Sequence, residues 1–196
     1  MPPEPCDGPL QMLLSRRSVK ALLLGEPGPD KSQVHAALDA AACAPDHGAL
    51  TPWRFVLISK PAARERLAEL FVRRMLERDP TLASGKLEKA RTMPRTAPLV
   101  IAVGAHVRSE HKVPEIEQLL ATGAAVMNLL NAFHAQGYGA IWLTGPNAYD
   151  EQIAAEIGFE ASERPLGFVY VGTPQERPHE GARRPERAAF VRKWSG

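Results

Sequence analysis

The segment 115–136 carries the longest helical pattern in the chain, and a strand pattern follows it after a single glycine. Gly137 is typical of a residue that ends a helix, and 138–143 has the composition of a strand. The centre of the helix, 121–125, consists of small residues, which allows another backbone to approach closely. Apolar residues and one glycine recur near one face of this helix: Ile116, Leu119, Leu120, Gly123, Met127, Leu130 and Phe133.

Helical and strand patterns alternate along the rest of the chain. Asp30 and Gln33 are spaced for a capping box at a helix start, and Pro45 ends that helix. This alternation predicts an α/β or α+β fold. Further helices are predicted at 10–17, from 61 through 75, in the connector up to 93 and around 151–157, and strands at 53–59, 99–103, 138–143 and 166–171.

The composition is that of one folded domain rather than of a disordered or fibrous chain. Of the 196 residues, 44% are hydrophobic and 23% are charged, so a sizeable core can form without disulfides or metals. The 24 Lys and Arg residues are interspersed with 22 Asp and Glu residues, a net charge of +2. This balance argues against a nucleic-acid-binding protein, which would carry a larger and more clustered positive charge.

The sequence pattern indicates neither a secreted protein nor a membrane protein. The first nine residues contain four prolines and lack the positive and apolar regions of a signal peptide. The longest nearly apolar run, 97–105, is far shorter than the roughly 20 residues that cross a bilayer. The only two cysteines, Cys6 and Cys43, offer no disulfide framework. We therefore expect a cytoplasmic protein.

Two arginines and a serine at the end of the first predicted helix are candidates for binding a phosphate. Arg16 and Arg17 can form charge-assisted bonds to phosphate oxygens, and Ser18 adds a hydroxyl. The alternative is structural, because arginines at a helix C-terminus also complement the helix dipole. The local pattern leaves both interpretations open.

The loop 44–53 is a second candidate for ligand binding. It is rich in Pro, Gly and polar residues, His47 could donate a hydrogen bond to a ligand, and Trp53 could form a wall of an aromatic site. The alternative is an ordinary connector in which Trp53 belongs to the core. A nucleophilic pair of Cys43 and His47 is also conceivable, but the neighbouring sequence supplies no orienting group or oxyanion hole.

The glycine-rich stretch 137–146 is not a dinucleotide-binding fingerprint. That fingerprint runs from a strand through a glycine-rich turn to a helix, whereas here a helix precedes the glycines and a strand follows them. The predicted strand ends in Thr144 and Gly145, which could lie along a flat ligand. A metal site is not expected, because His106 and His111 match no zinc spacing and fall in a predicted polar loop.

Taken in their order along the chain, five short motifs resemble the nitroreductase family, and most of all its short single-domain branch of NAD(P)H nitroreductases. The resemblance covers about residues 10–175, leaving a Pro-rich N-terminal tail at 1–9 and a C-terminal arm at 176–196. The motifs are R-R-S after the first helix, A-P-D-H…P-W, H-K-V-P-x-x-E-Q, A-Q-G-Y-G-A-I-W and G-F-V-Y-V-G-T-P.

The resemblance implies an α+β sandwich in which helices flank a central, mostly antiparallel sheet. It also implies an intertwined homodimer that binds FMN at the subunit interface, with the C-terminal arm crossing to the partner. Arg16, Arg17 and Ser18 would hold the phosphate and ribityl chain, and His47 would contribute across the interface. The isoalloxazine ring would be lined by Trp142, Leu143 and Thr144.

Two further expectations come from the same resemblance. The nicotinamide cofactor would contact the stretch made up of Ala132, Phe133, His134, Ala135, Gln136 and Gly137. Cys43 and Leu143, in contrast, stand at flavin-site positions where relatives carry basic residues. Because positive charge near the flavin stabilises its reduced form, these two departures should lower its reduction potential unless Lys or Arg residues of the tail compensate.

The implied activity is hydride transfer from NAD(P)H through FMN to a nitroaromatic or quinone acceptor, with ping-pong kinetics. The flavin would carry the chemistry, so no catalytic acid or base is assigned. Two alternatives stay open: a flavin-binding dimer with little turnover, and a flavin-dependent dehydrogenase that does not use NAD(P)H. The sequence names neither the physiological oxidant nor a preference between NADH and NADPH.

Overall fold

An antiparallel sheet of five strands forms the centre of the part of the protein that the structure, a computed structural model, describes: residues 8–176 and 184–196. The longest strand, β5, pairs with β3 on one side and with β4 and β1 on the other, and β2 pairs with the outer side of β3. The strands are β1 (Leu24–Gly25), β2 (Trp53–Ile58), β3 (Leu99–His106), β4 (Gly139–Leu143) and β5 (Glu163–Pro174).

Helices cover both faces of this sheet. Val100, Ala102, Phe168 and Tyr170 pack towards α3, α4 and α6, whereas the alternate residues Leu99, Ile101, Val103, Val169 and Val171 pack towards α2 and α5. Because successive side chains of a strand point to opposite faces, β3 and β5 have to be apolar on both. The helices are α1 (Pro9–Ser15), α2 (Lys31–Ala42), α3 (Pro61–Arg78), α4 (Ser84–Thr96), α5 (Glu115–Ala135) and α6 (Glu151–Glu156).

The α+β sandwich is confirmed, and several local predictions hold. Asp30 and Gln33 form the predicted capping box at the start of α2. Gly137 ends α5 with a φ of 88°, a backbone conformation that glycine adopts without steric cost. The strands β3 and β5 extend beyond their predicted ends, because Ala105 and His106 still pair with Arg164 and Glu163. The prediction of His106 in a loop is therefore wrong: it is the last residue of β3.

Two predictions about helices need correction. The first helix ends at Ser15 rather than Arg17, since Arg16 has a ψ of 131° and leaves the helical conformation. The apolar residues of α5 do not share one environment. Leu130 and Phe133 are buried in the core, while Ile116, Leu120 and Met127 are exposed on another side of the helix.

The predicted terminal segments are only partly described. Residues 1–7, most of the Pro-rich tail, and residues 177–183 lie outside the described ranges. In the described part of the C-terminal arm, a short 3-10 turn (Arg187–Ala189) precedes Phe190, Val191 and Trp194. All three side chains are exposed, and Trp194 is 94% exposed. None of the helices within residues 8–176 and 184–196 has the length and apolar character needed to cross a bilayer.

Candidate functional site

A backbone bridge places the arginine-rich segment beside the strand β4. Ser18 pairs with Ala140 in a parallel bridge, and the Val19 amide donates a hydrogen bond to the Ala140 carbonyl at 3.1 Å. The other side of β4 pairs with β5. After Ala140, residues 141–143 of β4 have no strand partner on the Ser18 side within the described ranges. Arg16, Arg17 and Ser18 therefore lie next to the open edge that leads to Thr144.

Three guanidinium groups meet at this place. Arg184 donates a hydrogen bond to the Arg16 carbonyl at 2.6 Å, and Arg17 donates to the carbonyls of Leu14 at 3.0 Å and Arg16 at 3.1 Å. Within residues 8–176 and 184–196 none of the three arginines forms a salt bridge. Burial, followed by the charges of Arg184 and Arg17, lowers the pKa of Arg16. This cluster favours a multiply charged anion, such as a phosphate.

Arg184 and Lys20 were not among the predicted site residues. Arg184 lies 168 positions from Arg16 in sequence, so only the general basic character of the tail hinted at it. Lys20 is exposed and is separated from Ser18 by the buried Val19. Lys20 is two residues from Ser18 in sequence, so it lies near the bridge of Ser18 with Ala140. The spacing R-R-S-V-K contained that information.

The end of α5 also reaches this cluster. The His134 imidazole Nε2 lies 2.9 Å from the Ser15 hydroxyl oxygen, so the stretch 132–137 lies beside the start of the arginine segment. Phe133 is completely buried in the core and can offer no side chain to a ligand. Gln136 donates a hydrogen bond from its side chain to the Gln33 carbonyl at 3.2 Å. His134 is thus the polar side chain that brings this stretch to the arginine cluster.

The His134 environment predicts a pH dependence of stability. Burial, followed by the charge of Arg16, lowers the pKa of His134 below its ordinary value of 6.5. The unfolded chain therefore takes up this proton first, and we expect the free energy of unfolding to decrease as the pH falls below about 6.5. Above that pH the contribution of His134 to the free energy of unfolding is fully present.

Urea denaturation of His134→Gln at several pH values tests this expectation. The variant should lose stability less steeply than the wild type on acidification. His35→Gln changes an exposed histidine of α2 and serves as the control, which should follow the wild-type profile. An unchanged pH dependence in His134→Gln would contradict the assignment.

The three predicted ring contacts, on β4 and directly after it, do not present their side chains to one surface. Trp142 packs with the α2 and α5 core and donates a hydrogen bond to the Leu166 carbonyl at 3.3 Å. Leu143 packs on the opposite face of the sheet, and Thr144 is exposed. A flat ligand at this edge can therefore contact the backbone of β4 and the Thr144 side chain, but not Trp142 and Leu143 side chains together.

His47 lies far from the arginine cluster of the same chain. Its Nδ1 is 2.7 Å from a carboxylate oxygen of Glu117, near the start of α5. His134, which contacts Ser15, lies 17 residues further along that helix, about 25 Å away at the helical rise. One chain therefore does not bring His47 to Arg16.

The loop that carries His47 is held in a strained conformation. Ala49 and Thr51 have φ values of 50° and 48°, which non-glycine residues rarely adopt, and the Asp46 carboxylate accepts a hydrogen bond from the Thr51 amide at 2.6 Å. Strain of this kind is concentrated at functional sites. Trp53 packs against the α2 and α5 core, as predicted by the alternative interpretation of the loop as an ordinary connector.

The structure does not favour a cysteine nucleophile. The Cys43 thiol donates to the Asp39 carbonyl at 3.4 Å, while His47 is paired with Glu117, so the two side chains are not partners. His111 accepts a hydrogen bond from the Val113 amide at 3.1 Å. Within the ranges that the structure describes, no three His, Cys, Asp or Glu side chains are grouped as metal ligands.

Comparison with known proteins identifies relatives of the whole chain. A family model described as the nitroreductase family matches residues 13–173. A protein of Escherichia coli K12 named "Putative NAD(P)H nitroreductase YdjA" is 36% identical over 93% of this chain and 97% of its own length. A protein of Haemophilus influenzae named "Putative NAD(P)H nitroreductase" is 32% identical over the same shares of the two chains.

Solved structures show the same fold. A nitroreductase-like family protein from Bacillus cereus superposes with a TM-score of 0.79 and 20% identity, over 97% of this chain and 98% of its own. A protein from Exiguobacterium sibiricum, described as "a putative nitroreductase in complex with FMN", has a TM-score of 0.75 and 18% identity, over 97% of this chain and 100% of its own. With the family model covering most of the chain, these matches lead to one conclusion: the chain belongs to the nitroreductase family.

Proposed function

We propose that the protein is an FMN-dependent oxidoreductase that takes hydride from NAD(P)H and passes it to a nitroaromatic or quinone acceptor. The observation that carries this proposal is the cluster of Arg16, Arg17 and Arg184 beside the open edge of β4. The FMN named in the Exiguobacterium structure and the activity in the names of the E. coli and H. influenzae relatives support it.

The residues present fit FMN. A phosphate needs several donors and positive charge, and the three guanidiniums offer both without a competing carboxylate in the described ranges. Ser18 directly follows Arg17 and could add its hydroxyl, and the edge of β4 from 141 to 143 offers backbone groups along which a flat ring can lie. When bound, FMN would accept a hydride from the nicotinamide and deliver it to the acceptor.

Lys20 provides a cation that partly replaces those absent at Cys43 and Leu143. Lys20 is exposed, lies two residues from Ser18 in sequence and forms no salt bridge within the described residues. A positive charge near a flavin raises its reduction potential. The C-terminal Arg184 lies instead at the Arg16 end, where it contributes to binding of the phosphate.

We also propose that the site is completed by a second copy of the chain. The exposed side chains of Ile116, Leu120 and Met127, together with Gly123, form a stripe along α5 that we call the α5 stripe. Ile116 is 60% and Leu120 65% exposed, and no atom of the described residues lies within 4 Å of the position that a Gly123 side chain would take. Such a surface favours association.

Antiparallel packing of two α5 helices would bring opposite ends of α5 together. His47 of the partner subunit, which lies near the start of α5, would then approach the Arg16 end of the first chain. The same association would give Phe190, Val191 and Trp194 of the C-terminal arm an apolar surface to cover. The stretch 132–137 would contact the nicotinamide, with Phe133 contributing only its backbone because its side chain is buried.

The visible absorbance of the purified protein tests the proposed function. We expect a yellow protein with about one FMN per chain, whose flavin absorbance NADH or NADPH bleaches under anaerobic conditions and a nitroaromatic or quinone acceptor restores. A colourless protein that does not take up added FMN would contradict the cofactor assignment. Bleaching without turnover would favour a flavin-binding dimer, and flavin that neither nucleotide reduces would favour a dehydrogenase of another substrate.

A further inference from the structure

A cavity of about 320 Å³ lies between α3, α4, the sheet and the turn that follows Thr144. Its walls are mainly apolar and aromatic, from Phe71, Met75, Met93, Phe168 and Tyr170. The rings of Phe71 and Phe168 meet edge to face, with centroids 5.0 Å apart. Since an apolar cavity of about 150 Å³ can hold benzene, this one has room for a substituted aromatic ring.

The Tyr170 hydroxyl is an unused hydrogen-bonding group in the wall of this cavity. Tyr170 is 2% exposed, and within residues 8–176 and 184–196 its hydroxyl forms no hydrogen bond. Burial raises the pKa of Tyr170, so the hydroxyl is protonated at neutral pH and can donate. Because Tyr170 lines the cavity, an oxygen of a ligand bound there can accept this hydrogen bond.

Positive charge lines the same cavity. Lys86 and Lys89, both exposed on α4, belong to its lining and form no salt bridge within the described ranges. The neighbouring Asp79 has its pKa lowered first by the Thr81 hydroxyl and only last by Lys86. The third lining cation, Arg78, is already bonded to Asp150 and Asn147. The two lysines are therefore available to an anionic group.

We propose that this cavity binds a small aromatic carboxylate that carries a second oxygen-bearing group on the ring. The aromatic walls would hold the ring, Tyr170 would donate to the second group inside, and Lys86 and Lys89 would hold the carboxylate at the exposed side. The site requires no residue of the arginine cluster, so it goes beyond the proposed cofactor site. Thr144 and Gly145 line the cavity and directly follow the end of β4, so this ligand would lie beside the proposed flavin.

Equilibrium binding to the FMN-saturated protein tests the proposal with three probes. 4-Nitrobenzoate and 4-hydroxybenzoate carry the second oxygen group, and benzoate lacks it. Tyr170→Phe should weaken binding of the first two probes about tenfold and leave benzoate binding unchanged. The hydroxyl has no hydrogen-bond partner among the described residues, so its removal leaves none of their polar groups unsatisfied. Tyr149→Phe, at an exposed tyrosine outside the lining, is the matched control.

Removal of the two lysine charges tests the other end of the ligand. Lys86→Gln with Lys89→Gln should weaken binding of all three carboxylates about tenfold, whereas uncharged nitrobenzene should bind as before. Lys60→Gln, on the exposed start of α3, controls for a change of net charge. The proposal would be overturned if Tyr170→Phe bound 4-hydroxybenzoate as tightly as the wild type does. It would also be overturned if none of the three probes bound the wild type at millimolar concentration.

The same preparations separate this inference from the proposed function. Binding is measured without NAD(P)H. A protein that binds the probes but whose flavin absorbance NAD(P)H does not bleach would therefore retain the cavity site and contradict the proposed reduction of the flavin by NAD(P)H. If 4-nitrobenzoate reoxidises the bleached enzyme and Tyr170→Phe raises its KM about tenfold, the ligand is an electron acceptor. If it binds but does not reoxidise, the ligand is a redox-inert effector.

Discussion

Replacing Arg16 and Arg17 together by alanine is expected to yield a protein that purifies without FMN, with the dissociation constant for FMN raised about a hundredfold or more. Each arginine would lose a charge-assisted bond to the phosphate, worth about 1.5–3 kcal/mol, and about 1.4 kcal/mol corresponds to a factor of ten. The effect is large because Arg184, the remaining cation of the cluster, is exposed and held through the Arg16 carbonyl.

Riboflavin is the sharpest control for this prediction, since it has the same ring but no phosphate. The double variant should bind riboflavin as well as the wild type does, and the gap between FMN and riboflavin affinity should close. Arg66→Ala, at an exposed arginine of α3, controls for the loss of a positive charge. Equal loss of riboflavin and FMN would show that the arginines support the fold of the site rather than bind the phosphate.

Leu120→Arg is expected to convert a dimer into monomers and to release FMN. The substitution would place one unpaired charge from each chain in the α5 stripe, at its most exposed side chain. Burial of such charges costs several kcal/mol, so the dimer dissociation constant should rise about a thousandfold. FMN would be lost because His47 of the partner subunit would leave the site.

Sedimentation velocity and flavin absorbance, measured on the same samples, check this prediction. Leu57→Arg is the matched control, because Leu57 is also an exposed leucine but lies on β2. It should leave both the mass and the flavin content unchanged. If the Leu120→Arg protein stayed dimeric, the α5 stripe would not be part of the dimer interface. A yellow monomer would show that one chain suffices to hold FMN.

Local structure was accessible from the sequence wherever a short-range interaction determines it. The capping box of Asp30 and Gln33 and the helix end at Gly137 depend on residues within one helical turn, and both are confirmed. The extra length of β3 and β5 depends on long-range pairing of polar residues such as His106 with Glu163. No pattern within either segment contains that pairing, so both strands were predicted too short.

In the candidate site, too, the sequence predicted the residues of a short motif but not the contacts between distant segments. The motif R-R-S pointed to Arg16, Arg17 and Ser18, and the structure brings them to β4 through the bridge of Ser18 with Ala140. Arg184 joins them from the other end of the chain, which only the folded backbone reveals. The predicted contacts of Trp142 and Leu143 separate to opposite faces, since adjacent residues of a strand must do so.

The sequence by itself determined the α+β class, the family and the residue types that suit a phosphate, because periodicity and the order of motifs are properties of the residue sequence alone. Only the tertiary structure decided which of those residues meet. It joined Arg184 and His134 to the arginine cluster, and it left His47 about 25 Å away at the other end of α5. It also left the Tyr170 hydroxyl without a partner within the described residues. The physical reason is that such neighbours arise from packing between segments distant in sequence, which no local pattern records.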